Sequence, residues 1–547
     1  MYAFTSTSGS AIGQPGKGLV FTGGQFHTLD PALPKVEAIA VANGRIVGRG
    51  SSADLRDAFP GFERIDLGGR TALPGFTDAH IHLPSYGLSL RRVELRGARS
   101  LREAVEKVRA ATQQVRRGEW LRGRGWDKNL WPEDRFPTRE DLDPVSPALP
   151  VLLSSKDGHL LWVNSVALRL AGIDRMTPDP PGGEIVRDRR GEPTGVLKET
   201  ANDLIWRVVP LEGPEQIEDG IRAAVNAMHR LGITGVHNFV GTASLEGAPA
   251  FRVFQRLNER GELSLRVWTT IPEGALEDAV ATGLSTGFGD EWLRVGPVKI
   301  FADGTLGSQT AAMLEPFEGQ PGNTGIAVHT REELTDLVRR AVGGGFWCAI
   351  HAIGDRANRW VLDAFEASLD ATRALGGRHR IEHVQLIHPD DLPRLSRLKV
   401  TASMQPVHAT VDREIADRYW GRRSRTAYAW RSLLRAGTAL AFGSDAPVET
   451  PDVFAGLYAA VTRKRAEEPQ VRSWYPDEAL EIDEAVRAYT TGAAYAAGQE
   501  GVQGRLLEGY CADFIAVDRD LFAAAPEELL STRVMMTVVG GTVVYSA

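Results

Sequence analysis

From residue 73 to residue 445, short apolar runs alternate with longer amphipathic stretches at the spacing of βα units, the pattern of a parallel sheet covered on both faces. The runs predict strands at 76–82, 233–238, 265–271, 295–301, 346–351, 380–384, 400–404 and 440–445. Eight such strands predict a closed (β/α)8, TIM-like barrel. In that fold the catalytic groups gather at the C-terminal strand ends, because the loops there converge on one mouth. Polar residues fall at these ends repeatedly.

The flanks have a different texture. Segments 18–22, 38–42 and 44–48 read as short strands with tight turns, and so do 513–517, 534–539 and 542–545 around the Gly540-Gly541 turn. These pieces are expected to form one small discontinuous β-sandwich domain, 18–72 together with 500–547, beside a barrel of 73–499. Two separate edge additions are the alternative that periodicity leaves open. The first and second barrel strands lie about 150 residues apart, far more than one crossover helix needs, so an inserted cap subdomain is expected at about 85–215. It contains a Trp-rich loop over 120–131, a strand-like Val151–Ser155 and the motif Asp157-Gly-His159.

Composition narrows the function classes. With 43% hydrophobic and 24% charged residues the chain is neither disordered nor fibrous. The net charge of -7 (63 bases against 70 acids) is interspersed, which argues against nucleic acid as the main partner and leaves a small-molecule substrate. Cys348 and Cys511 are too few and too far apart for a disulfide framework or a thiolate zinc site, so any metal must use His and carboxylate. No apolar run reaches the length of a membrane span and the first residues lack the features of a signal peptide, which predicts a cytoplasmic protein with no membrane partner. A homodimer is the commonest state for such enzymes.

In Phe76-Thr-Asp-Ala-His80-Ile-His82 two imidazoles sit at i and i+2 where a strand ends, so both point to one side and can converge on one ion. With 12 His in the chain, chance alone gives about 0.3 such pairs, so position has to supply the weight. Three further strand ends deliver His351, His383 and Asp445. Taken singly, each reads equally as a structural hydrogen-bonding group or a turn residue. Imidazole and carboxylate together suit zinc or a related divalent ion. Lys299 lies inside an apolar strand, an unfavourable place for an unpaired ammonium. Either it pairs with Asp303 or a neighbouring carboxylate, or desolvation leaves a neutral amine able to take up carbon dioxide and bridge two cations as a carbamate. His159, Trp126, Trp131 and Gln405 are candidates for the substrate pocket, with core or hydrogen-bonding roles as the alternative. His237, His329, His388 and His408 are read as non-ligands.

This set resembles the metal-dependent amidohydrolase superfamily, which carries HxH after strand 1, Lys after strand 4, His after strands 5 and 6 and Asp after strand 8. All six positions are matched. The likeness runs from Pro74-Gly-Phe-Thr-Asp-Ala-His-Ile-His82 to Gly504-Arg-Leu-Leu-Glu-Gly-Tyr-Cys-Ala-Asp-Phe-Ile515, nearly the whole chain. Gly125-Trp-Asp127, Asp157-Gly-His159, Gly191-Glu-Pro-Thr-Gly-Val-Leu197 and Asp303-Gly-Thr-Leu-Gly-Ser308 are similar to the long-insert branch that includes N-substituted formamide deformylases. The resemblance implies hydrolysis of a non-peptide C–N bond, in an amide, N-formyl or related group, by metal-activated water. His80, His82 and Asp445 would bind one metal and His351 and His383 a second, with carboxylated Lys299 between them and Asp445 as the catalytic proton carrier. One or two ions, zinc first, are expected. Ester, lactone or phosphoester hydrolysis on the same site is the nearest alternative, and a non-catalytic ligand-binding or regulatory homologue a further one.

Overall fold

The computed structural model describes residues 18–547 except 114, 117, 129–130, 134, 156–159, 182, 242–243 and 308. Eight parallel strands form its central sheet: β1 (Phe76–Ile81), β2 (Ile233–Asn238), β3 (Arg266–Pro272), β4 (Leu293–Phe301), β5 (Cys348–Ala352), β6 (Arg380–His383), β7 (Thr401–Met404) and β8 (Leu440–Phe442). Neighbours in sequence are neighbours in the sheet, and every pairing is parallel. Amphipathic helices such as Arg331–Gly343 and Asp355–Ala367 connect consecutive strands. The expected TIM-like barrel is therefore present.

Its seam is closed by hydrogen bonds at the mouth. Beyond the end of β8, the Asp445 N–H donates to His80 O at 2.7 Å. The buried Asp78 carboxylate accepts from Ser444 N (3.0 Å), Ser444 Oγ (2.5 Å) and His80 N (3.1 Å). One carboxylate thus laces together the two strand ends that carry His80 and Asp445. β8 is shorter than predicted because Gly443-Ser444-Asp445 leaves the strand, with Asp445 at φ +60°.

Both ends of the chain build a β-sandwich. A six-stranded sheet has the order Thr542–Ser546, Val534–Val539, Phe514–Val517, Thr71–Pro74, Gln25–His27, Lys35–Val36. In it Leu73 lies opposite Ile515, an antiparallel pairing of the two ends. A four-stranded sheet of Arg45–Gly50, Ala38–Ala42, Leu19–Thr22 and Glu63–Asp66 shares one apolar core with it, including Phe21, Phe26, Ile39, Phe514 and Val538.

A second unit, Gly87–Gly220, folds around its own six-stranded sheet. There the first half of the Trp-rich segment is not a loop: Leu121–Trp126 is a strand whose Leu121 and Gly123 point inward. Glycines at 123 and 125 hide the apolar alternation that would have announced it. Among the described residues, no helix is long and apolar enough to cross a membrane.

Candidate metal centre

The two imidazoles of the HxH motif stand where β1 ends, and each is gripped at Nδ1. His80 Nδ1 lies 2.7 Å from Glu382 Oε2. Glu382 is itself fully buried on β6 and takes two hydrogen bonds from Arg380, at 2.5 and 3.0 Å. Arg380 also donates to Ala79 O, Ser403 Oγ and His237 Nδ1, so His237 is occupied as an acceptor inside the barrel. Burial would raise the Glu382 carboxyl, but Arg380 and His80 hold it well below the usual range. His82 Nδ1 donates to Phe239 O (3.0 Å) and Glu246 Oε2 (3.2 Å), and Glu246 is fixed in turn by Ser85 Oγ and Gly241 N. His383, at the end of β6, donates from Nδ1 to Gln405 Oε1 at 2.8 Å.

With Nδ1 engaged in all three rings, Nε2 is the atom left to coordinate. His82 Nε2 lies 3.2 Å and His80 Nε2 3.5 Å from Asp445 Oδ1. The ligand atoms of His80, His383 and Asp445 fall within 4.8 Å of one another. Burial pushes His80 down to about 4 and His383 well below its ordinary value, so both imidazoles are neutral, as metal ligation requires. Burial also works to lower His82, yet hydrogen bonds and charge from Asp445 and Glu246 lift it to about 10. Those carboxylates create a place that calls for a cation. The donor set fits a divalent metal.

Two further predicted ligands line the same cavity of about 640 Å³. His351, on β5, packs its ring 4.7 Å from that of His383. It differs from the others in that its Nε2 donates to Gly304 O at 2.9 Å, which leaves Nδ1 for coordination. Lys299, on β4, is 3% exposed and rests against the rings of Phe301 (4.6 Å) and Phe239 (5.0 Å). Burial brings its ammonium down to about 8. The Asp303 carboxylate accepts from Ala312 N, Ile353 N and Gly354 N, pinning the loops after β4 and β5 instead of pairing with Lys299.

The pocket candidates scatter. Trp126 and Trp131 sit in the core of the second unit with Trp162, their indole N–H groups bound to Leu153 O and Ala98 O. Gln405 is buried behind His383 and orients it. His159 lies outside the described residues. Sequence reasoning passed over Glu382, Glu246 and Asp78, and read His408 only as a non-ligand. Glu382 could have been found, since Arg380-Ile-Glu382 places the two charges at i and i+2 on one strand face. His408 lines the cavity with Nε2 3.7 Å from Asp445 Oδ2.

A parallel barrel that collects four imidazoles, a buried lysine and a carboxylate at its strand ends defines the class of metal-dependent hydrolases. The chain belongs to the amidohydrolase family, whose sequence model matches residues 63–545, and is a hydrolase acting on carbon–nitrogen bonds. It is 34% identical over 534 residues to YtcJ of Bacillus subtilis (strain 168), covering 96% of this chain and 99% of that one. It is 29% identical over 544 residues to the N-substituted formamide deformylase of Arthrobacter pascens, covering 96% and 98% respectively. The crystal structure of an uncharacterized metal-dependent hydrolase from Pyrococcus horikoshii OT3 superposes with a TM-score of 0.76 at 29% identity, over 93% of this chain and 99% of that one.

Proposed function

We propose that the protein hydrolyses an amide, removing a small acyl group of the formyl kind from a nitrogen that carries an apolar substituent. The observation that carries this reading is the convergence of His80, His82 and His383, each pinned at Nδ1, on the Asp445 carboxylate. Full-length similarity to a formamide deformylase supports the acyl class. Leu306, Ile353, Ile415 and Val448 give the cavity apolar walls for the substituent.

His80, His82 and Asp445 would hold one zinc ion, and His351 and His383 a second. Lys299 would bridge them after carbon dioxide adds to its neutral amine with loss of one proton, a step favoured by the aromatic, desolvated surroundings of Nζ. A divalent ion there supplies Lewis acidity, polarising a carbonyl and making water acidic near neutral pH.

The chain's own part is proton transfer and orientation. Asp445 Oδ1 faces His80 Nε2 and His82 Nε2, where the ion would sit, which leaves Oδ2 to accept the proton of the attacking water and pass it to the departing nitrogen. The C–O bond forms, the C–N bond breaks, and a carboxylic acid and an amine leave. Asp445→Asn is expected to keep the far-UV circular dichroism of the parent while kcat on formanilide falls at least about a hundredfold. Turnover near the parent level would sink the Asp445 role.

A further inference from the structure

Two polar atoms in the cavity wall have no hydrogen-bond partner among the described residues, Gln385 Oε1 and His408 Nε2. Both residues are more than nine-tenths buried, Gln385 at 5% and His408 at 7% exposure. Buried polar atoms are nearly always satisfied, so a pair of orphans in one pocket marks groups whose partner arrives with a ligand. The backbone has been bent to present one of them. His383 and Val384 take φ values of +77° and +44°, strained for non-glycine residues, immediately before Gln385. His408 stands beside the proton carrier, and the 3.7 Å between Nε2 and Asp445 Oδ2 is too long for a direct hydrogen bond, which leaves Nε2 to donate into the cavity.

We infer that these two residues read a secondary amide, Gln385 Oε1 accepting from the substrate N–H and His408 Nε2 donating to its carbonyl oxygen. The inference rests on the amide-hydrolase reading and narrows it. One acceptor and one donor match the N–H and C=O of a single amide. An ester offers no N–H, and a tertiary amide places a methyl where Gln385 expects a donor, so either leaves Gln385 unpaired. Sites built on such hydrogen bonds reject analogues that lack the group far more strongly than apolar pockets reject a missing methylene. Among the described lining residues Lys299 is the one lysine and no arginine joins it, which favours substituents without a carboxylate.

The test is equilibrium titration of the metal-loaded enzyme with acetanilide and N-methylacetanilide, which does not depend on turnover. Acetanilide is expected to bind the parent about tenfold more tightly or better. In Gln385→Met the ratio should collapse towards unity, and in Gln385→Glu, which keeps an acceptor oxygen, it should persist. His408→Leu should weaken both probes, with His408→Gln recovering part of the loss, while plasma mass spectrometry finds the parent metal content in every variant. Equal binding of the two probes to the parent, binding of neither, or a preference that survives Gln385→Met would overturn the inference. Loss of metal in His408→Leu would also overturn it by making His408 a ligand. Failure of the amide reading itself is distinguishable, because it would show as hydrolysis of phenyl formate by the parent with none of formanilide.

Discussion

Glu382 has no exposure to solvent and two duties, fixing the His80 ring through Nδ1 and neutralising the equally buried Arg380. The duties separate by substitution. Glu382→Gln keeps the shape but removes the charge, so the carboxylate–histidine pair that orients a metal ligand is lost and metal affinity should fall about 10- to 100-fold in chelator competition. The same change strands the Arg380 guanidinium in the barrel core, which should lower stability by about 3–5 kcal/mol in urea titration. Glu246→Gln makes the useful control. It weakens the hold on His82 but strands no arginine, so it should show the loss of metal affinity without the large loss of stability. Equal stability losses in the two variants would show that Arg380 does not depend on Glu382.

At the scale of elements, the closest fit is where β8 meets β1. A methyl on Gly443 would come within 2.3 Å of His80 N and 2.7 Å of Asp78 Oδ1, neither of which can yield without opening the seam. Gly443→Ala should therefore destabilise the fold by about 1–3 kcal/mol, the usual range for overpacking, and move His80 relative to Asp445. Both a lower thermal midpoint and a weaker metal affinity are expected, and an unchanged midpoint would count against so tight a seam. The barrel strands were legible because parallel strands buried on both faces leave continuous apolar runs that stop at polar residues. The order of those polar residues around the mouth was legible for the same reason. What stayed hidden is the layer that tertiary contact alone creates. Glu246 reaches His82 across 164 positions of sequence, and Gln385 owes its place to a backbone bend that no periodicity encodes. The strand at Leu121–Trp126 was missed because glycine carries no hydrophobic signal even when it faces a core.

The whole molecule ties its metal site to its chain ends. Strand Thr71–Pro74 belongs to the sandwich, pairs with Phe514–Val517, and passes through Gly75 directly into β1, whose far end carries His80 and His82. Gly75 N donates to Asp513 O, and Phe76 N to Gly232 O, so the junction is held from the C-terminal segment and the barrel at once. Phe514 is the centre of this arrangement, fully buried with its ring edge-on to Phe21 at 4.8 Å and to Phe26 at 5.8 Å. Phe514→Ala should cost about 3–5 kcal/mol, since the cavity it leaves is walled by strands from both termini and cannot collapse without shifting them. Because those strands anchor β1, the loss is expected to reach the barrel. The thermal midpoint measured by circular dichroism and the temperature at which activity disappears should fall together and by the same amount. A small early transition with full activity remaining above it would instead mean that the sandwich is an appendage whose unfolding the HxH strand does not feel.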